Sequence, residues 1–152
     1  METVVSSLLP SWVPLCLFAF LSLPLVWQDV KDSSVSLALL VGVYALWLTA
    51  ALAAGQAGRL AAAAIVLLVG ALLSCILPDR LGEADIVFMS GMASLFAFWP
   101  LMIAVSLGCV AALAAFLWLS RGGRGEVLGQ PLPLLPSLYW GGLAVILGGI
   151  KF

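Results

Sequence analysis

Between positions 35 and 77 the chain carries a single charged side chain, Arg59. An apolar run stands on either side of it, over 35–54 and 60–77. Each is close to the roughly 20 residues that a helix needs to cross a hydrocarbon core. Segments of this kind have no polar face to turn toward water. In lipid they close their backbone hydrogen bonds internally, as helices. This pair of runs therefore points to an all-α membrane architecture. Composition agrees: 64% of the 152 residues are hydrophobic and 9% are charged, against about a quarter charged in soluble domains. The mean hydropathy is +1.25.

Four further apolar runs complete the pattern, over 8–27, 86–98, 101–119 and 134–150. The first contains Pro24, which is expected to kink the helix or end its regular part before the polar cluster at 28–34. It reads as a retained span and not as a cleaved signal, because its start is acidic (Glu2) and no small-x-small site closes a short apolar core. Gly55 to Arg59 forms a short turn. Trp99-Pro100 is expected to mark a tight connection between the fourth and fifth helices, since proline disfavours helix in the residue before it. The expected fold is a single transmembrane domain over 1–152, a polytopic bundle of about six transmembrane helices.

Six spans put the polar stretches 28–34, 78–85 and 120–130 on one side, with Lys31, Arg80, Arg121 and Arg124. The other side holds both termini, Arg59 and Lys151. The excess of basic residues makes the first side cytoplasmic. The same side receives every acidic residue except Glu2. A net charge of −1 offers nothing for nucleic-acid binding. There is no histidine, and Cys16, Cys75 and Cys109 lie scattered in apolar runs as small packing residues. No metal site or cofactor is expected from this set. The glycines at 42, 70, 91, 108, 141, 142, 148 and 149 read as close helix contacts. Those at 122, 123, 125 and 129 lack the Lys-Ser/Thr ending of a nucleotide loop and read as a flexible connection.

Two carboxylates carry the chemistry that remains. Asp29 directly follows one apolar run and Asp85 directly precedes another, at the same predicted membrane face. Acidic residues at span ends often only terminate a helix in the headgroup region, and Asp32, Asp79 and Glu83 read mainly in that way. Ionisable groups at such depths are otherwise functional candidates. Two neighbouring carboxyls share a proton, so that one acts as base toward water while the other polarises a carbonyl. This needs no metal, histidine or nucleophilic side chain. Gly82 either allows a tight turn into the fourth helix or lets a substrate backbone approach Asp85. Lys31 and Arg80 read first as topology determinants, with Lys31 near enough to Asp29 in sequence to help shape a site.

These residues resemble the bacterial type IV prepilin peptidases, the GxGD-type aspartic membrane proteases. The family's first aspartate follows a span in a pattern close to Asp-Leu-Arg, three variable residues, Ile-Pro. The matching stretch here is Asp29-Val30-Lys31-Asp32-Ser33-Ser34-Val35-Ser36. The second motif, Gly-x-Gly-Asp opening a span, is matched by Gly82-Glu83-Ala84-Asp85. A proline-rich stretch followed by glycines in the last helix is matched by Pro131 to Pro136 and Gly141-Gly142. The likeness runs from about position 20 to 152. Three positions depart from the pattern. Ala84 replaces the second glycine, where any left-handed backbone would be strained. Val87 stands where the family has lysine, and Ser36 where it has proline.

The resemblance implies a polytopic protein of the bacterial cytoplasmic (inner) membrane, with both termini on the non-cytoplasmic side. It implies an aspartic endopeptidase that removes leader peptides from prepilin-like or pseudopilin-like proteins of a type IV pilus or protein secretion system. Asp29 and Asp85 would be the catalytic pair, and Gly82, Ala84 and Lys31 would shape the site. The larger enzymes carry an N-terminal domain with paired cysteines, associated with N-methylation of the cut product. Nothing here matches it, so cleavage without methyl transfer is expected. The alternatives are a catalytically degenerate membrane assembly factor, which binds pilin-like helices without cutting them, and a small membrane transporter.

Overall fold

Apolar runs without an internal polar face satisfy their backbone as helices, and a computed structural model of the chain shows this outcome. It describes residues 12–32, 34–76, 82–121 and 134–148. Among these there are six helices and no strand: α1 (Trp12–Asp32), α2 (Leu37–Ala53), α3 (Ala57–Ile76), α4 (Glu83–Leu95), α5 (Phe98–Arg121) and α6 (Leu134–Leu147). α3 over Ala57–Ile76 and α5 over Phe98–Trp118 are long and apolar enough to cross a membrane. α2 and α6 are apolar but shorter, at 17 and 14 residues.

Several boundaries differ from expectation, among them the start of α4 at Glu83, inside the expected polar stretch. α1 continues through Pro24 to Asp32, so Gln28, Asp29 and Lys31 ride on the helix and not in a loop. Proline removes one backbone bond and crowds the carbonyl four residues back. Packing on both sides of it, by Phe18 and Ser22 before and Leu25 after, keeps the helix in place. The break between α4 and α5 comes earlier than Trp99-Pro100. Phe96 leaves the helix in an extended conformation (φ −97°, ψ 144°). Pro100 then falls in the first turn of α5, where its missing N–H has no helical partner to lose. The turn between α2 and α3 is shorter than the expected 55–59, because α3 begins at Ala57 and carries Arg59 on its first turn. Gly55 is left-handed at φ +68°, its N–H donates to Leu52 O, and the Gln56 N–H donates to Ala51 O. This is a Schellman closure, for which glycine is the favoured residue.

α4 is the shortest helix and the centre of the bundle. It packs against all five others, and eight of its 13 residues are buried. Five aromatic rings gather around it, with Phe18 of α1 touching Trp47, Phe88, Phe96 and Tyr139 at centroid distances of 5.2–6.1 Å. Polar bonds cross the same core. The Tyr44 hydroxyl lies 2.9 Å from Ser90 Oγ, which donates to Ala63 O at 2.7 Å, joining α2, α4 and α3. The Tyr139 hydroxyl donates to Ala19 O at 3.1 Å.

Small residues set the closest approaches. A Cβ on Gly141 would collide with the backbone carbonyl of Ala104, and one on Gly108 would lie 3.0 Å from Leu138 Cα, where α5 crosses α6. Gly91 makes room for the Trp47 indole, Gly142 for the Phe18 ring and Gly70 for Ile86. Gly42 differs from the expected helix contact: a Cβ there meets nothing within 4 Å, because it sits on the outer face of α2. The three cysteines are exposed on outward faces and are not the expected packing residues. Large apolar side chains are exposed on every helix except α4, among them Trp118 (81%) and Ile76 (71%).

Candidate active site

The inward face of α1 is the stripe Phe18, Ser22, Leu25, Asp29. Its spacings of four, three and four keep one side of a helix turned to the core. The stripe therefore carries Asp29 inward although the sequence around it is polar. Asp29 is 9% exposed, and its Oδ2 is buried without a hydrogen-bond partner. The neighbouring Gln28 turns the other way. Its Oε1 accepts from the Ser36 N–H at 3.0 Å, tying the end of α1 to the start of α2. Lys31 is exposed, two residues beyond Asp29 and so roughly 200° around the helix. The structure does not bring it to Asp29.

Asp85 is the third residue of α4, after the N-cap Gly82. Its carboxyl reaches back to the backbone N–H of Gly82, the bond that the acid of a capping box makes. The N-terminal end of a helix also favours negative charge. Gly82 lies at φ −70°, ψ 134°, an ordinary extended conformation, so its glycine does not serve a tight turn. The reason is space: a Cβ at 82 would lie 2.8 Å from Asp85 Oδ2. Ala84 is helical and packs at the edge of the core. Alanine in place of the second motif glycine therefore carries no backbone strain. Val87 packs against the core as well.

Asp29 and Asp85, each just outside an apolar run, are brought within electrostatic reach of one another. Burial raises the Asp29 pKa. The Asp85 carboxyl is pushed up to about 6, first by burial and then by the charge of Asp29, against the opposing bond from Gly82. No basic group offsets either carboxyl among the described residues. Nor does a third His, Cys, Asp or Glu there complete a metal-binding group. Asp32 and Glu83 are exposed, in keeping with helix ends. Asp79, Arg80, Glu126 and the glycines from 122 to 129 lie outside the described residues.

Comparison with family models, with curated proteins and with solved structures gives no match. The chemistry of the site therefore stands on its own geometry. Burial and repulsion by a second carboxylate both favour the protonated form, so such a carboxyl keeps its proton above the ordinary carboxylate range.

Sequence reasoning missed the opposite end of the bundle. There the Arg59 guanidinium donates from Nη1 to the Leu95 carbonyl at 2.6 Å, fastening the start of α3 to the end of α4. Its solitary place between two uncharged runs was the available signal.

Proposed function

We propose that this chain is a membrane-embedded aspartic endopeptidase whose catalytic pair is Asp29 and Asp85, with a pilin-like precursor as substrate. The observation that carries this reading is the pair itself. A buried carboxyl with an unpartnered oxygen faces a second whose pKa it raises. Helix capping accounts for the posture of Asp85, but it does not account for Asp29, which caps nothing and is turned inward.

The membrane part of the proposal rests on an inverted distribution of polarity. Ser22, Asp29, Ser90 and Ser94 are inside, while Leu, Ile, Val, Phe and Trp side chains cover the outer helices. Soluble monomers rarely expose apolar patches beyond a few hundred Å². In lipid this surface is ordinary, and the short α4, at about 20 Å by its rise per residue, is shielded by its five neighbours. A six-span bundle in a bacterial cytoplasmic membrane, with the pair on the cytoplasmic face, fits the bias of basic residues.

In the proposed reaction, water adds across the scissile peptide bond. The ionised carboxylate takes a proton from water as its oxygen bonds to the carbonyl carbon, while the protonated carboxyl gives its proton to the carbonyl oxygen. Collapse of the tetrahedral species breaks the C–N bond, and a proton passes to the leaving amine. Gly82 keeps the Asp85 carboxyl in place by offering its N–H and no side chain.

The test is co-expression with candidate prepilins, reading leader removal by mass for the native chain, Asp29→Asn and Asp85→Asn. Cleavage by the native chain alone supports the pair, whereas an active variant of either kind sinks the mechanism. A non-catalytic assembly factor is the second reading, favoured by the capping bond of Asp85. It predicts that a pilin-like helix binds as well to the double variant as to the native chain, with no cleavage by either.

A further inference from the structure

At the end of the bundle away from Asp29 and Asp85, α3 and α5 both pack on α4 but not on each other. The gap between them is an open cavity of about 580 Å³, in the range of roughly 300–1,000 Å³ typical of small-molecule sites. Ala62 and Val66 of α3, Ala93 of α4 and Leu101 of α5 form apolar walls, and Arg59 is the sole charged residue of the lining. One Arg59 nitrogen is engaged by Leu95 O. A guanidinium has five N–H donors, so most of its hydrogen-bonding capacity remains. The exposed Phe98 and Trp99 rings stand at the same level, 5.5 Å apart, as aromatic side chains do at a membrane–water interface.

We propose that this groove binds an anionic phospholipid, with the phosphate on Arg59 and an acyl chain between α3 and α5. The charge complements a phosphate, and the walls below it complement a hydrocarbon chain. A partner helix fits less well. A helix about 10 Å across fills roughly 420 Å³ per turn, so the cavity has room for little more than one turn. The positive end of α3 adds to the attraction for an anion. The site rests on the membrane reading above and is independent of the peptidase reading.

The experiment is native mass spectrometry of the full chain in detergent, titrated with phosphatidylglycerol or phosphatidylcholine of identical acyl chains. Preferential retention of phosphatidylglycerol is expected. Arg59→Gln should lower that retention about tenfold, to the phosphatidylcholine level, as loss of a charge-assisted bond does. Arg59→Lys should keep most of the preference, and Ala62→Trp, which fills the groove, should reduce binding of both lipids. Equal retention of the two lipids by the native chain overturns the proposal. So does a phosphatidylglycerol adduct that survives both Arg59→Gln and Ala62→Trp, or a two-chain species that excludes lipid. Carbonate washing of membranes separates the two failures: release of the chain overturns the membrane reading and this site together, whereas retention without lipid preference overturns this site alone.

Discussion

Burial first, and then the charge of Asp29, push the Asp85 carboxyl up to about 6, against the opposing N–H of Gly82. Gly82 caps the helix that carries Asp85 and Asp29 belongs to α1, so a local and a tertiary contact act on a carboxyl that burial has already raised. Burial raises Asp29 in the same direction.

Peptide cleavage by this pair requires one proton between the two carboxyls. That proton leaves as pH passes the higher of the two apparent values, so activity is expected to fall above about pH 6. The limb should move to lower pH in a Glu83→Gln control only if Glu83 touches the pair, and its exposure predicts no movement. The measurement is leader removal against pH in detergent or vesicles. A rate that climbs steadily from pH 6 to 9 would contradict the shared proton.

The same shift has a consequence for stability. Asp85 rises from an ordinary 3.8 to about 6 on folding, so the folded chain binds more protons than the unfolded chain between those values. Stability must then decline as pH rises through this window, with the full cost present above it and none below it. Asp85→Asn keeps an acceptor for the Gly82 N–H and removes the charge. It is expected to be more stable than the native chain at pH 7.5 by about 1–3 kcal/mol, the upper figure being two pKa units of 1.36 each and the lower allowing for partial solvation. Unfolding in detergent at pH 7.5 and near pH 4 checks this, and the advantage should vanish at the lower pH.

Much of the bundle was legible from hydropathy alone, because each of the six helices grows from one apolar run. A turn near Gly55 was legible as the break between two apolar runs, whereas its left-handed closure and the start of α3 at Ala57 were not. What escaped depends on contacts between runs. Gly42 and Gly91 look alike in sequence, yet only Gly91 faces an indole. α4 comes from the shortest run and proves the most buried helix, since its small residues, Ser90, Gly91, Ala93 and Ser94, let five neighbours approach. Asp29 and Asp85 were legible as candidates by their positions at the ends of apolar runs. The inward turn of Asp29 was hidden, because it follows from α1 continuing through Pro24. The same helical rotation turns Lys31, two residues further on, about 200° away from Asp29 and leaves it exposed.

Gly82 separates conformational from steric need. Alanine adopts φ −70°, ψ 134° without strain, but its Cβ would stand 2.8 Å from Asp85 Oδ2. The carboxylate is the movable partner, so Gly82→Ala should fold normally and shift the Asp85 carboxyl that the proposed reaction uses. Displacements of about 1 Å cost up to a hundredfold in rate, and kcat/KM is expected to fall by about tenfold or more with little change in melting temperature. Ala84→Gly, which puts glycine where the motif it resembles has one, should bring no gain in activity and lower stability by up to about 0.5–1 kcal/mol, as glycine does within a helix. Faster leader removal by Ala84→Gly would show that position 84 limits the proposed reaction.

The crossing of α5 and α6 supplies a test of the fold that is independent of catalysis. At Gly141 a Cβ meets the backbone of Ala104 and Gly108, and backbone cannot rotate aside as a side chain does. Gly141→Ala must therefore separate the helices, and overpacking of this kind costs about 1–3 kcal/mol or more. Gly42→Ala is the matched control, with open space at the Cβ position and a helix gain of roughly 0.5–1 kcal/mol from replacing glycine. Thermal unfolding of the two variants in the same detergent should move in opposite directions. Equal melting temperatures would mean that α5 and α6 do not meet at Gly141, and the arrangement of α6 against Phe18 and the rest of the core would have to be redrawn.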